Sequence, residues 1–298
     1  MNPIDEQTFV ALRPWLLGVA YRMLGTLTDA EDVVQQAWIR ASTAARVDEI
    51  RHPKAWWARV VTRLCLDELD RARHRRETYV GPWLPEPVDA DAFEPLWAAA
   101  GSSIERETLH LAMLMVLQSL SPLELAAFLL RDVFDDDYVN IADLLGRDVA
   151  AVRQLVHRAR GHLRERKPRY TVEPSEHLRL IEAFVTASMQ GDVDSLRKVL
   201  HDDCIAWSDA GGKAQSATRP VLGSERVAKF FAGFAKRRVD VLQPQLLMVN
   251  GVPSLALFGE DGRCHTVTQL VIVDGRILYT MGTRNPDKLT HITPMAVH

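Results

Sequence analysis

A chain of 298 residues, 47% of them apolar, is long enough for two or three cores and excludes a disordered or low-complexity protein. The formal net charge of -3 excludes a basic coat for nucleic acid, so any basic patch must be local. Cys65, Cys204 and Cys264 lie far apart with no CxxC pair, which gives neither a disulfide framework nor a metal-ligand spacing, and no apolar run reaches the ~18 residues of a membrane span. The N-terminus MNPIDEQ lacks the basic and apolar regions of a signal peptide, so a cytosolic protein without metal, cofactor or membrane contact is expected.

Residues Asp5 to Ala45 read as two helices. Phe9, Leu12, Leu16, Val19, Ala20 and Met23 recur at helical spacing; Gly25-Thr26 breaks the run, and Thr28 followed by Glu31 reads as a capping box for the next helix. That second helix, DAEDVVQQAWIRA (Asp29 to Ala41), sets Asp32, Gln35 and Gln36 on a polar side, with Val33, Ala37 and Trp38 inward. A polar loop, Arg46 to His52, leads to Pro53 and the helix PKAWWARVVTRLCLDELDRARHRR. Here Trp57, Val60, Val61 and Leu64 form the inward stripe, while Trp56, Arg59 and Arg63 share another face. An indole beside two guanidinium groups suits an unstacked base and its phosphates; the plainer reading is a second core tryptophan beside solvated arginines with partners such as Asp67 and Asp70.

Between Gly81 and Ser103 the chain is acidic and proline-rich, with Glu86, Asp89, Asp91 and Glu94 and no Lys or Arg, which reads as a linker. Trp83, Leu84 and Trp97 are costly to leave in water, so part of it should dock on a neighbour. Periodicity returns from Glu105: one helix through Leu120, a second capped at Ser121-Pro122, a third over Tyr138–Leu145 closed by Gly146, and a last one opening at Asp148. The final pair is a helix-turn-helix pattern, and its last helix carries Arg153, Gln154, His157, Arg158, Arg160 and Arg164 outside a Val149, Val152, Leu155, Val156, Ala159 core stripe. Beyond Pro168 the chain reads as a separate α+β unit. Helices are expected over Ser175–Gln190, Asp192–Leu200 and Gly223–Lys236, and strands over Gln245–Asn250, Ser254–Gly259, Thr266–Val273 and Arg276–Met281, with hairpin turns at Asn250-Gly251 and Asp274-Gly275.

This order of modules resembles a bacterial extracytoplasmic-function RNA polymerase sigma factor. The resemblance rests on Asp29–Ala41, His52–Glu77 and Leu145–Glu165; WLPEP (Trp83–Pro87), DAGGK (Asp209–Lys213) and NPDKL (Asn285–Leu289) point to the subgroup with a fused SnoaL-like C-terminal domain. The fold it implies is multidomain: two all-α sigma domains, the second with a helix-turn-helix, then an α+β SnoaL-like (nuclear transport factor 2-like) cone. The boundaries follow as 1–80, a linker 81–103, 104–168 and 175–294.

The resemblance also implies roles. Asp29, Asp32, Gln35, Gln36 and Trp38 would bind the clamp helices of the polymerase β′ subunit, and the second sigma domain the β flap. Arg51, His52, Trp56, Arg59, Arg63, Arg73, Arg75 and Arg76 would capture and melt the -10 element, and Arg153, Gln154, His157, Arg158 and Arg160 would read the -35 element. Trp83, Asp209, Gly211, Gly212, Lys213, Asn285, Asp287 and Lys288 would form regulatory loops through which the C-terminal domain contacts the sigma domains and replaces a separate anti-sigma factor. Leu155 stands where many relatives carry Arg and Gln154 where many carry Ser. Ala210 interrupts a glycine run and forgoes its conformational freedom.

Two other readings compete. SnoaL-like folds include enzymes with a carboxylate base, for which Asp209 or His201 would be candidates, though no second polar group commits to a reaction. A repressor with an effector pocket would have no use for the Trp56 face. A small ligand in the C-terminal pocket stays open, unnamed by the sequence.

Overall fold

In the computed structural model, which describes residues 6–43, 52–89, 93, 107–166, 174–235 and 242–295, the second half of α1 (Glu6–Leu24) is buried on every side, from Trp15 to Leu24. It is the central helix of a three-helix packing with α2 (Leu27–Thr43) and α3 (Pro53–Glu77). Phe9, Trp38 and Trp57 stack where the three meet, with ring centroids 4.7 to 6.3 Å apart. The second helix starts at Leu27, two residues earlier than the Thr28 box predicts: Thr26 donates its hydroxyl to Asp29 at 2.5 Å, and Thr28 is an exposed residue inside the helix.

The expected helix over Glu105–Leu120 is shorter within the described residues. His110 is extended (φ -62°, ψ 138°), so α4 covers only Leu111–Leu117. Next, α5 (Pro122–Phe128) runs into a π turn at Leu129–Val133, and α6 (Tyr138–Leu145) and α7 (Val149–Arg166) complete the helix-turn-helix. Ser121 and Glu124 form a reciprocal capping box on α5, Gly146 takes the left-handed C-cap of α6, and Asp148 caps α7 by accepting from the Ala151 amide at 2.7 Å. Ala127, Leu130, Ile141, Val152, Leu155 and Val156 make the core.

These helices and α1–α3 belong to one compact unit. Arg22, almost fully buried, donates to Thr108 at 2.9 Å and lies over Phe134; Gln118 donates to the Arg22 and Met23 carbonyls that end α1; Trp15 meets Phe134 edge-on. Residues 78–89, the last three residues of the expected first sigma domain and the start of the expected linker, belong instead to the second unit.

That second unit packs α8 (Pro174–Gln190), α9 (Val193–Val199) and α10 (Ser224–Ala235) on a six-stranded sheet. The strands are β1 (Leu200–Asp209), β2 (Val221–Leu222), β3 (Gln243–Val249), β4 (Val252–Phe258), β5 (Cys264–Val273) and β6 (Arg276–Thr283), in the order β2-β1-β6-β5-β4-β3. The β3–β6 meander turns at Asn250-Gly251 and Asp274-Gly275, all four residues at positive φ, as such two-residue turns require. Register breaks in the β1/β6, β4/β5 and β5/β6 pairings give the bends by which a sheet wraps round helices. This is the SnoaL-like arrangement. One face, with Leu200, Cys204, Ala206, Leu270 and Ile277, packs against the helices; Val249, Phe258 and Val267 pack with Leu289 and Ile292 of the C-terminal segment. All three cysteines are buried and unbridged, and among the described residues no helix is long and apolar enough to cross a membrane.

Candidate nucleic-acid interface and linker latch

On α3 the two adjacent tryptophans divide the work. Trp57 is fully buried under Phe9 and Trp38; Trp56 is half-buried and meets Trp57 edge-on at 4.9 Å. Arg59 is half-buried and Arg63 exposed, so the expected aromatic and cationic face exists, resting on a packed indole that fixes its geometry. The Arg59 Nε lies 3.7 Å from the Asp136 carboxylate, which follows the π turn. His52 is exposed at the start of the face; Arg51 and the side chains of Arg73, Arg75 and Arg76 lie outside the described residues.

A groove of about 360 Å³ runs between α1 and α2, lined by Phe9, Arg13, Glu31, Asp32, Gln35 and Trp38. Three of the five residues expected to bind a partner helix line it. Asp29 is engaged with Thr26 at the helix start, and Gln36 is exposed beside the groove rather than in its wall. Phe9, Arg13 and Glu31 were not expected in this wall: periodicity reads Phe9 as core, Glu31 reads as a capping residue, and neither gives a signal for a wall shared by two helices.

Along α7, Arg153, Gln154 and His157 are exposed; Arg153 also stacks its guanidinium on Tyr138 at 5.4 Å. Arg158 and Arg160 are exposed too, but each is paired with a carboxylate of its own fold: Arg158 donates to Glu124 at 2.8 Å, and Arg160 makes a two-pronged pair with Asp132 at 2.6 and 2.7 Å. Burial of Glu124 favours its neutral form, but hydrogen bonds from Arg158 and Ser121 outweigh it and hold the carboxyl below its ordinary range. A depressed folded pKa contributes stability above the unfolded value of about 4.3 and loses it as pH falls through the folded value. Glu124→Ala should therefore cost about 1–2 kcal/mol near neutral pH. The gap from the parent in thermal unfolding followed by circular dichroism should shrink as the pH is lowered through that range.

In the second unit, residues 79–89 are fastened to the sheet through one buried carboxylate. Asp209, at the end of β1 and fully buried, accepts from the Tyr79 hydroxyl at 2.5 Å, the Leu84 amide at 2.8 Å and Lys288 Nζ at 2.7 Å. Lys288 also donates to the Leu84 carbonyl at 2.5 Å and lies over the rings of Trp83 (4.3 Å) and Tyr79 (5.2 Å). Burial first, and the bond to Asp209 next, push the Tyr79 phenol far above its usual range, so its proton stays in place. Asn285 donates to the Tyr79 oxygen at 2.8 Å, and Lys213 pairs with Asp287. Further along, Val88 exchanges backbone and side-chain hydrogen bonds with Asn250, and Leu84 and Val88 are fully buried.

Sequence comparisons place this geometry. The Sigma-70 region 2 profile matches residues 8–75 and the Sigma-70 region 4 profile residues 110–163. The chain is 39% identical to the ECF RNA polymerase sigma factor SigJ of Mycobacterium tuberculosis, over 96% of this chain and 94% of that one. It belongs to the ECF RNA polymerase sigma factors. The crystal structure of M. tuberculosis SigJ superposes with a TM-score of 0.75 at 35% identity, covering 98% of this chain and all of that one, which extends the likeness through the sheet unit. A second relative, the probable ECF sigma factor SigI of M. tuberculosis, is 35% identical over 83% of this chain and 82% of its own.

As an ECF sigma factor the chain serves transcription initiation, and its fold answers two of the departures noted above. Leu155 is buried in the helix-turn-helix core, so its side chain packs rather than reads. At Ala210 nothing is lost: positive φ falls on Gly211 (56°) and Gly212 (72°). A Cβ on Gly211 would lie 2.6 Å from Asn285 Nδ2 and 2.8 Å from the Tyr79 hydroxyl, so glycine there is a condition of the latch. Tyr79, two residues past the end of α3, is the latch residue that sequence reasoning missed; a buried hydroxyl has no periodic signature.

Proposed function

We propose that this sigma factor engages core RNA polymerase through the groove between α1 and α2, which receives the β′ clamp helices, and through its helix-turn-helix at the β flap. On the promoter, Trp56, Arg59 and Arg63 take up an unstacked base of the -10 element and its phosphates, while Arg153, Gln154 and His157 face the -35 bases. Arg158 and Arg160, held by Glu124 and Asp132, contribute only where phosphates displace those carboxylates. The observation that carries this reading is the partly exposed Trp56 braced on the buried Trp57, a stacking surface backed by a rigid one. The sheet unit acts in place of a separate anti-sigma factor, through the 79–89 segment that continues directly from α3.

The packing of both sigma modules into one unit supports a closed resting state. The two elements lie about 25 base pairs apart, or roughly 85 Å. The 25-residue α3, the longest helix of the unit, spans only about 38 Å. Reading both elements at once requires the contacts of Trp15 with Phe134 and of Arg59 with Asp136 to part.

Polymerase binding is tested by co-elution with bacterial core enzyme on a sizing column. The parent chain should co-elute, and Asp32→Arg with Gln35→Ala should abolish co-elution while leaving the helical circular dichroism unchanged. Co-elution of that double variant would remove the groove from the interface.

A further inference from the structure

Between the sheet and its covering helices lies a cavity of about 150 Å³ that neither the promoter nor the polymerase reading uses. Its walls are largely aromatic and aliphatic: Phe184 on α8, Phe231 on α10, Trp207 on β1, and Leu255 and Leu257 on β4. Phe184 and Phe231 meet edge-on at 4.7 Å, and Trp207 and Tyr279 at 5.0 Å, which leaves ring faces and edges for a further ring. A dry apolar cavity of this volume is known to hold one benzene. The polar groups on its wall are few. Among the described residues, Ser188 Oγ is buried with no hydrogen-bond partner; Ser208, Thr266 and Thr268 contribute hydroxyls; Arg284 contributes a cation; and no carboxylate or histidine lines it. A cation with hydroxyl donors and no general base is suited to holding an anion rather than to transforming it.

The polar end of the cavity is continuous with the latch. Ser208 and Arg284 line the cavity, and the next residue after each, Asp209 and Asn285, belongs to the network that grips Tyr79. The two strand ends are tied together: the Arg284 and Asn285 amides both donate to the Asp209 carbonyl, at 2.6 and 3.0 Å. Arg284 also donates through Nη1 to the Gln215 carbonyl, and Ser216 bonds Ser208, so the loop that carries Gly211 and Lys213 is anchored on two cavity residues.

We propose that this cavity binds a small aromatic carboxylate, its ring among Phe184, Trp207 and Phe231 and its carboxylate on Arg284, and that occupancy loosens the latch. The carboxylate competes with the Gln215 carbonyl for the Arg284 guanidinium, which frees the 210–217 loop and weakens the grip on Tyr79. The ligand site stands on the cavity alone; its consequence for transcription rests on the regulatory reading given above.

The test uses the full chain with phenylacetate as probe and toluene as its uncharged counterpart, by calorimetry at millimolar ligand and by hydrogen exchange of residues 79–89. Phenylacetate should bind saturably and raise exchange in 79–89 several-fold. Arg284→Gln should weaken phenylacetate at least tenfold and leave toluene within twofold. Gly282→Val should abolish binding of both: a Cβ at Gly282 meets only ordinary contacts, 3.7 to 3.9 Å from Trp207, Thr268 and Ser208, so the extra methyls enter the cavity without displacing the strand. Absence of saturable binding, or toluene binding without phenylacetate, overturns the ligand class and leaves the latch untouched. Saturable binding with unchanged exchange overturns the coupling.

Discussion

Lys288→Met should destabilise the second unit by about 3–5 kcal/mol, because it leaves Asp209 charged and buried without its cation. Lys288 and Asp209 are 7% and 0% exposed, so water cannot replace the lost partner. Tyr79 and the Leu84 amide would still donate to Asp209, but both are neutral, and the Leu84 carbonyl also loses its donor. Methionine keeps the length of the side chain and its contact with Trp83 and Tyr79, so the loss reports charge rather than volume. Hydrogen exchange should rise first in residues 79–89 and at the ends of β1 and β6. Adding Asp209→Asn should restore most of the stability, since removing both charges is far cheaper than removing one. A single variant as stable as the parent would show that the pair contributes nothing. Under the proposed regulation the same variant must also change transcription from a cognate promoter in a reconstituted assay; unchanged output would make the latch purely structural.

The helical unit was largely legible because its signals are local. Trp57, Val61 and Leu64 on α3, and Val152, Leu155, Val156 and Ala159 on α7, recur at helical spacing and are all buried. Ser121-Pro122 and Gly146 mark helix ends by chemistry that needs no tertiary partner. The break at His110 was not legible: residues 109–117 are apolar almost throughout, and only the extended backbone of His110 separates the turn from α4.

In the sheet unit the meander was readable from its two turns, but β1 was not. Its sequence, LHDDCIAWSD, carries three carboxylates and half-buried Ile205 and Trp207 between buried positions, so the period of two is blurred. Its long partner is β6, in parallel, some seventy residues on, which no hairpin signal announces. The same distance hides the latch, where Asp209 meets Tyr79 and Lys288 from positions 130 and 79 residues away. The DAGGK and NPDKL motifs drew attention to those loops only through family resemblance, and geometry alone supplies the reason for them.

Trp56→Ala and Trp57→Ala should separate cleanly, although the residues are adjacent. Trp57 is fully buried and touches Phe9, Trp38 and Trp56, so its truncation opens a cavity at the meeting point of three helices and should cost about 3–5 kcal/mol of folding stability. Trp56 shares an edge-on contact with Trp57 and keeps only part of its surface in solvent, so its loss should cost less. Its effect should lie in promoter opening, where stacking on one base is worth about 1–3 kcal/mol, or roughly 5- to 150-fold in open-complex formation. Permanganate footprinting of thymines on a supercoiled promoter, bound by polymerase with each variant, measures this directly. Polymerase retention on a sizing column should be unchanged for Trp56→Ala, because the groove of Asp32, Gln35 and Trp38 does not include it. A Trp56→Ala chain that opens promoters at the parent rate would assign the indole to packing and leave Arg59 and Arg63 as phosphate contacts only. One that loses polymerase as well would place Trp56 within the structural support of the α1–α2 groove.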